Sequence, residues 1–218
     1  MSALNEFLET SYTAYHAVKN TAEYLIANGF SLLSEGEDWN VEEGGKYFVT
    51  RGGSSLIAFS VGALDNGLAF RIAASHADSP ALKLKDNAVF ATGAYEKLNA
   101  ECYGGGIWYS FFDRPLKIAG RIVESEKGVL RSRVVESDYF VTIPSVAVHQ
   151  NRGVNEGFAV NAQTDLCPLY SLARQGSDLV SSFSSAPVAA YDLYLVNEQS
   201  PYVFGRNGCL LYTSDAAD

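Results

Sequence analysis

The sequence has few cysteines, no long apolar run and no excess of positive charge, and each shortage argues against a class of protein. The three cysteines, Cys102, Cys167 and Cys209, form no Cys-x-x-Cys pair. They are expected to be reduced thiols of a cytoplasmic protein rather than a disulfide framework. No apolar run reaches 18 residues, which argues against a membrane partner. The net charge of −9 argues against nucleic acid, which requires a basic face.

The length and composition are those of a soluble globular protein. The chain has 218 residues, enough for one large domain or two small ones. Hydrophobic residues make up 47% of it and charged residues 19%, an ordinary balance for a chain that buries a core. The N-terminal stretch is acidic and lacks the basic region of a secretory signal, so it is not expected to be one.

The stretch over residues 70–85 carries the chemistry of the chain. Its first part, Phe70–Ala74, is a short apolar run that predicts a buried strand, and His76, Asp78 and Pro80 follow directly. Residues at i and i+2 of an extended chain point to one side, so His76 and Asp78 can act together. A neutral imidazole is a common zinc ligand, and a nearby carboxylate can fix its tautomer. Taken alone, the motif is also that of an ordinary strand end with a hydrogen-bonded histidine.

Apolar spacing on both sides of this stretch predicts the order of elements. Helices are expected over 3–10 and 14–28, with Thr13 as a cap, Gly29 as the stop and His16 in a structural role. Strands are expected over 47–51 and 55–61, joined by a hairpin turn. Acidic and Gly-rich loops or turns are expected over 34–45 and 63–68.

The sequence after Lys85 changes to short β-like runs, which predicts a β-rich unit inserted into an α/β domain. The strands are expected over 116–123, 129–135, 139–143 and 188–196. The sequences DRP, SEKG and ESD are expected to form turns between them. One helix is expected near 167–174, and a Ser-rich loop over 176–187.

Two further motifs lie within this unit. A run of three glycines followed by aromatics, over 103–115, permits close backbone approach or positive φ. No Lys-Ser/Thr pair follows it, so core packing or a subunit interface is favoured over phosphate binding. His149 ends another apolar run, over 143–152, where an ordinary core or surface histidine is the alternative to a functional one.

Six stretches occur together in a fixed order. They are YHAV at 15–18, SHADSP at 75–80, YGGGIWYSFFDRPL at 103–116, IPSVAVHQNR at 143–152, VNEG at 154–157 and DLYLVNEQ at 192–199. In order and spacing they resemble the aspartyl aminopeptidase family of zinc metallopeptidases. The resemblance covers roughly residues 3–208.

The resemblance implies an α/β metallo-aminopeptidase catalytic domain, partial in this chain, with an inserted β-rich dimerisation domain. It implies that His76 is a zinc ligand, that Asp78 is the catalytic carboxylate orienting the site, and that His149 helps to bind substrate in a neighbouring subunit. It further implies two zinc ions per full-length subunit, a peptide substrate, and dimers that build a dodecamer. In such enzymes a bound metal lowers the pKa of its water, and a Glu serves as general base.

The expected domain order follows from the resemblance. Residues 1–86 are expected to begin the catalytic domain, 87–197 to form the inserted domain, and 198–208 to return to the catalytic domain. Residues 209–218 resemble an in-frame translation of a sequencing adapter, so a non-native tail and a truncated gene are expected. The family's remaining metal ligands and its Glu pair would then lie beyond Gly208.

The predicted function is that of a zinc-dependent aminopeptidase that removes an acidic or neutral N-terminal residue, in a truncated form that is inactive alone. The alternative is a non-catalytic β-rich module that dimerises or binds peptide at a strand edge. A hydrolase with a Ser nucleophile and His76 or His149 as base is a weaker alternative, because the sequence has no G-x-S-x-G elbow.

Overall fold

The computed structural model describes residues 3–63, 67, 69–173, 178–208 and 210–212. The chain divides into two compact units, Met1–Asp78 and Ser79–Asp218. The first unit contains a three-stranded sheet and the second a six-stranded sheet. Helices and strands therefore both contribute, as the α/β prediction requires.

The N-terminal unit packs a helix on its small sheet. The elements are α1 (Ala3–Thr10), α2 (Ala14–Ala27), β1 (Ser31–Leu32), β2 (Lys46–Arg51) and β3 (Ser55–Ser60). Strand β2 lies in the middle, parallel to β1 and antiparallel to β3. The core is formed by Tyr15, Val18 and Leu25 of α2 and by Phe48 and Val49 of β2. Both predicted helices and both predicted strands of this unit are confirmed within a residue at each end.

The two ends of α2 differ in how they are capped. At its C-terminus Gly29 has φ of 81°, the Gly29 N–H donates to Ile26 O and the Phe30 N–H donates to Leu25 O. This pair of hydrogen bonds is a Schellman motif, which glycine allows because it lacks Cβ. At the N-terminus Thr13 occupies the cap position, but its side chain makes no capping hydrogen bond.

The C-terminal unit is one antiparallel sheet with the strand order β7-β6-β9-β4-β5-β8. Its strands are β4 (Ala81–Thr92), β5 (Tyr95–Tyr103), β6 (Leu116–Glu126), β7 (Val129–Val141), β8 (Leu169–Leu172) and β9 (Val188–Asn197). Short 3-10 helices span Trp108–Phe111 and Val180–Ser182, and a small ribbon joins β10 (Tyr202–Phe204) to β11 (Leu210–Tyr212). The core of the unit is formed by fully buried residues that include Leu82, Leu98, Ile118, Ile122, Leu193 and Leu195.

The predicted buried strand at Phe70–Ala74 is wrong. Residues 69–80 have no regular secondary structure. Phe70 is 78% exposed and Ile72 is 86% exposed. An apolar run shows only that a segment is suited to a buried strand. A strand also needs a partner for its ladder, and none of the described residues pairs with this segment. His76 therefore does not lie at the tip of an inner strand.

Two assignments in the C-terminal unit are also wrong. The segment expected to be a helix near 167–174 contains β8, an edge strand paired with β5, because a short apolar run does not distinguish helix from strand. The ESD sequence at 136–138 is not a turn but lies inside β7, which replaces the two strands expected over 129–135 and 139–143. There the Ser137 hydroxyl accepts the Ile118 N–H at 3.0 Å and fills a gap in the ladder of β6 and β7.

Other predicted loops and boundaries have mixed outcomes. The SEKG turn is confirmed by positive φ at Lys127 and Gly128. Residues 64–66 and 68 of one predicted turn, residues 174–177 at the start of the Ser-rich loop, and residues 209 and 213–218 of the expected tail lie outside the described residues. The boundary expected between residues 86 and 87 falls inside β4. The division into four segments stays a prediction.

Candidate active site

His76 and Asp78 contact each other in the irregular segment that precedes β4. His76 Nδ1 lies 2.7 Å from the backbone oxygen of Asp78 and 3.3 Å from its Oδ1. Because a carbonyl oxygen only accepts, the short contact requires Nδ1 to carry the proton. In the neutral ring the lone pair is then on Nε2, the form in which an imidazole coordinates a metal.

The contact differs in one respect from the expectation. From the sequence, the Asp78 carboxylate was expected to fix the tautomer of His76. In the structure the closer acceptor of His76 Nδ1 is the Asp78 backbone carbonyl. The side chains are 64% and 43% exposed, so water screens the attraction between ring and carboxylate. The orientation of the ring thus depends first on the direction of one peptide group.

A single imidazole does not make a zinc site. Catalytic zinc normally has three protein ligands. Among the described residues no group of three or more His, Cys, Asp and Glu side chains could hold a metal ion. The donor chemistry of His76 fits zinc, but the described part of the chain supplies one candidate ligand and not a complete set.

His149 lies on an exposed turn of the C-terminal unit. The turn at Ala147 is closed by the Gln150 N–H, which donates to the Ala147 carbonyl at 2.8 Å. A cavity of about 490 Å³ is formed by the same loop region, with Ser145, Val146 and Asn151 among its lining residues. The imidazole is thus presented to solvent on a loop, where it can meet another molecule.

Asp113 anchors the start of this loop and was not singled out by the sequence. Its Oδ1 accepts the Ser145 N–H at 2.8 Å, and its own N–H donates to Ile143 O at 2.9 Å. Hydrogen bonds from the Ser145 hydroxyl and then the Ser145 N–H hold the pKa of Asp113 below its usual value. Asp113 has φ of 57°, a backbone form that Asp and Asn adopt more readily than most residues. Asp113 is the first residue of the predicted DRP turn, and a turn is where an Asp with positive φ is expected.

His16 has the structural role expected for it. It is buried, and its Nδ1 lies 2.9 Å from the Thr13 hydroxyl oxygen. The ring of Tyr12 contacts it edge-on at 5.5 Å between ring centroids. The Thr13 hydroxyl thus contacts the His16 ring and makes no capping hydrogen bond to α2.

The two described cysteines do not form a nucleophilic site. Both are free thiols, with Cys167 buried and Cys102 half-buried. Burial raises the pKa of each thiol. Because the thiolate is the reactive form, both thiols are protonated and unreactive at neutral pH.

The aromatic residues after the three glycines pack as the sequence predicted. Trp108, Phe111 and Phe112 pack against the core of the C-terminal unit, and the rings of Phe112 and Phe158 meet edge-on at 5.4 Å. Tyr109 is 67% exposed.

No helix among the described residues combines the length and apolarity needed to cross a membrane.

The family profile described as Aminopeptidase I zinc metalloprotease (M18) matches residues 7–199. The aspartyl aminopeptidase 1 of Schizosaccharomyces pombe is 42% identical over 175 residues, which are 78% of this chain and 37% of the relative. A probable M18 family aminopeptidase 2 of Pseudomonas paraeruginosa is 40% identical over 220 residues, which cover 94% of this chain and 51% of the relative. The chain thus spans between about a third and a half of the length of these relatives.

Solved structures show the same similarity. A chain in the cryo-EM structure of the Ape4 and Nbr1 complex is 33% identical, with a TM-score of 0.85 over 93% of this chain and 44% of that one. The M18 aminopeptidase of Thermotoga maritima, at 19% identity and a TM-score of 0.74 over 95% of this chain and 49% of that one, shows the shared fold alone. Together with the profile match over most of the sequence, these similarities confirm that the chain belongs to the M18 family of zinc metallopeptidases, the family of the aspartyl aminopeptidases.

Proposed function

We propose that this chain is the N-terminal part of a zinc aminopeptidase that removes an acidic or neutral residue from the N-terminus of peptides. The observation that carries the proposal is the 2.7 Å contact from His76 Nδ1 to the Asp78 carbonyl oxygen. It supports a ring with its lone pair on Nε2, as a zinc ligand requires. The family membership supports the reaction class.

Three residues of this chain have distinct roles in the proposal. His76 holds zinc through Nε2, and Asp78 orients the imidazole through its carbonyl and carboxylate oxygens. His149, on its exposed loop, binds substrate in a neighbouring subunit. Bound zinc would polarise the scissile carbonyl and lower the pKa of a water molecule.

The proposal includes truncation and inactivity of the chain by itself. The matched relatives are about two to three times as long as the matched part. The rest of a full-length subunit would supply the remaining ligands of two zinc ions and the general base. We also propose that the β-rich unit is an inserted dimerisation domain, that dimers build a dodecamer, and that the protein is cytoplasmic. A related S. cerevisiae protein with 24% identity is described as a dodecamer.

Zinc binding and peptide hydrolysis by the purified chain test the proposal. We expect weak zinc binding in calorimetry, abolished by His76→Ala because that change removes the ligand. We expect no measurable release of Asp or Leu from chromogenic amides, because one ligand does not hold a catalytic zinc.

His149→Ala is the matched control, since it also removes an exposed imidazole but leaves the proposed ligand in place. Zinc binding that is unchanged in His76→Ala and lost in His149→Ala would overturn the assignment. Clear turnover by the chain alone, abolished by His76→Ala, would overturn the proposed truncation while supporting the metal role. Peptide binding without any zinc requirement would favour the non-catalytic module.

A further inference from the structure

The three consecutive glycines after β5 are not equivalent. A Cβ added at Gly104 would lie 3.4 Å from Pro80 Cα, and Gly104 has φ of 78°. A Cβ added at Gly106 would lie 3.2 Å from Pro80 Cβ and 2.8 Å from Cζ3 of Trp108. A Cβ at Gly105 would meet nothing within 4 Å. A Cβ at 106 would thus be tight against Pro80, a Cβ at 104 would touch Pro80 at ordinary distance, and a Cβ at 105 would touch nothing.

Pro80 is the residue with which the chain enters β4. The next residue, Ala81, pairs with Tyr103 at the end of β5, so Pro80 and Gly104 are the residues just beyond the end of that ladder. A Cβ at 106 would press on Pro80 and still harder on the Trp108 ring, whereas at 104 the contact with Pro80 is ordinary and the positive φ is what strains a side chain. Gly104 and Gly106 therefore affect the position of Pro80 at the start of β4.

The position of Pro80 also affects the peptide group that contacts His76. Ser79 precedes a proline, so steric contact with the proline ring restricts it to extended backbone. The direction of the Asp78 carbonyl follows from the conformations of Ser79 and Pro80, because only those bonds separate it from the fixed ring. That carbonyl oxygen is the acceptor of the 2.7 Å contact with His76 Nδ1.

We propose that Gly104 and Gly106 are positioning residues for His76 and Asp78, and that they act through Pro80. The metal part of this proposal rests on the proposed function of His76. The His76 side chain is 64% exposed and that of Asp78 is 43% exposed, and residues 69–80 have no regular secondary structure. Pro80 directly precedes the buried Ala81 of β4, and outer contacts of this kind commonly change metal affinity by about 10-fold to 100-fold.

The tautomer of His76 in the metal-free chain tests the link directly. Long-range ¹H–¹⁵N NMR at one fixed pH distinguishes a ring with the proton on Nδ1 from a ring with the proton on Nε2. We expect the Nδ1–H form in the native chain. Gly106→Ala, Gly104→Ala and Pro80→Ala should shift the signal toward that of the urea-unfolded chain and weaken zinc binding about 10-fold.

Matched variants separate the causes. Gly105→Ala should leave both readouts unchanged, because its Cβ has open space. Gly104→Asn adds the same Cβ but tolerates positive φ, so a remaining effect reports the contact with Pro80 rather than backbone strain. Pro80→Ala adds no bulk and removes the ring contacts, so it tests the link even if an alanine at 106 disturbs the fold.

The outcomes distinguish the link from the metal role. An unchanged His76 tautomer in Pro80→Ala and in correctly folded Gly104→Ala would overturn the inference, and so would an equal effect of Gly105→Ala. If the glycine variants change the His76 tautomer but His76→Ala leaves zinc binding unchanged, the positioning role of the glycines is supported and the proposed function is rejected.

Discussion

The three histidines show that a residue's role depends on its partner more than on its type. His16 is buried against the Thr13 hydroxyl, His76 meets a backbone carbonyl, and His149 lies exposed on a turn. Each environment restricts the ring to a different extent. Burial with a hydroxyl partner suits structure, a fixed Nδ1 proton suits metal binding through Nε2, and exposure suits recognition.

A fourth residue, Gly120 in β6, is determined both by packing and by its backbone, which has φ of 155°. A Cβ there would lie 2.1 Å from the backbone oxygen of Asp192 on the neighbouring strand β9. Backbone in the middle of a sheet cannot move aside as a flexible side chain can. We predict that Gly120→Ala lowers the free energy of unfolding by about 3 kcal/mol or more, measured by urea denaturation.

Gly157→Ala provides the control for that measurement. A Cβ at Gly157 would meet nothing within 4 Å, so its effect should stay within about 0.5 kcal/mol. Equal stability of the Gly120 and Gly157 variants would show that β6 and β9 are not paired in this register.

At the scale of elements, the loop with His149 depends on the anchor between Asp113 and Ser145. The folded state lowers the pKa of Asp113, because hydrogen bonds from the Ser145 hydroxyl and N–H favour the carboxylate. The stabilising contribution is therefore present above the usual Asp pKa of about 3.9 and is lost as pH falls through the lower folded value. We predict that hydrogen-exchange protection of the Ser145 amide decreases as pH falls from the usual Asp pKa through the lower folded value.

Variants at position 113 check the cause. Asp113→Asn keeps an acceptor and tolerates positive φ but has no charge, so protection should be weaker and independent of pH in that range. Asp113→Ala should remove the protection at every pH. Asp138→Asn, an exposed change on β7, is the control. A pH response that persists in Asp113→Asn would contradict the assignment.

The elements also show where sequence patterns stop being sufficient. Spacing of apolar residues predicted α2, β2 and β3 because each of these elements finds its packing or ladder partner nearby in the chain. The same reasoning failed for Phe70–Ala74, since no described residue pairs with it, and for β8, whose partner β5 lies about 70 residues earlier. Local patterns report what a segment is suited to, whereas pairing depends on distant chain.

At the scale of the whole molecule, the N-terminal unit exposes apolar side chains that a folded domain normally covers. Ile57 and Tyr24 are each 67% exposed, in addition to Phe70 and Ile72. The chain spans between about a third and a half of the matched relatives. Exposed apolar side chains promote association where they lie together. We predict that the chain self-associates and binds a hydrophobic dye.

The double change of Phe70→Ser and Ile72→Ser should reduce dye binding and association in sedimentation experiments. Its free energy of unfolding should change by no more than about 0.5 kcal/mol, because these side chains are exposed. The matched control replaces Val129 and Leu130 of β7, which are 55% and 64% exposed, by serine. Association that responds only to the control would place the contact on the β-rich unit and contradict the prediction.

The sequence by itself determined the family and the order of most elements, and it supplied the candidate site residues, because these follow from residue types and their spacing along the chain. Tertiary structure decided that His76 meets the carbonyl of Asp78 more closely than its carboxylate, that Asp113 anchors the loop of His149, and that a Cβ at 104 or 106, but not at 105, would meet Pro80. Those facts depend on distances between groups in space, which residue spacing does not specify.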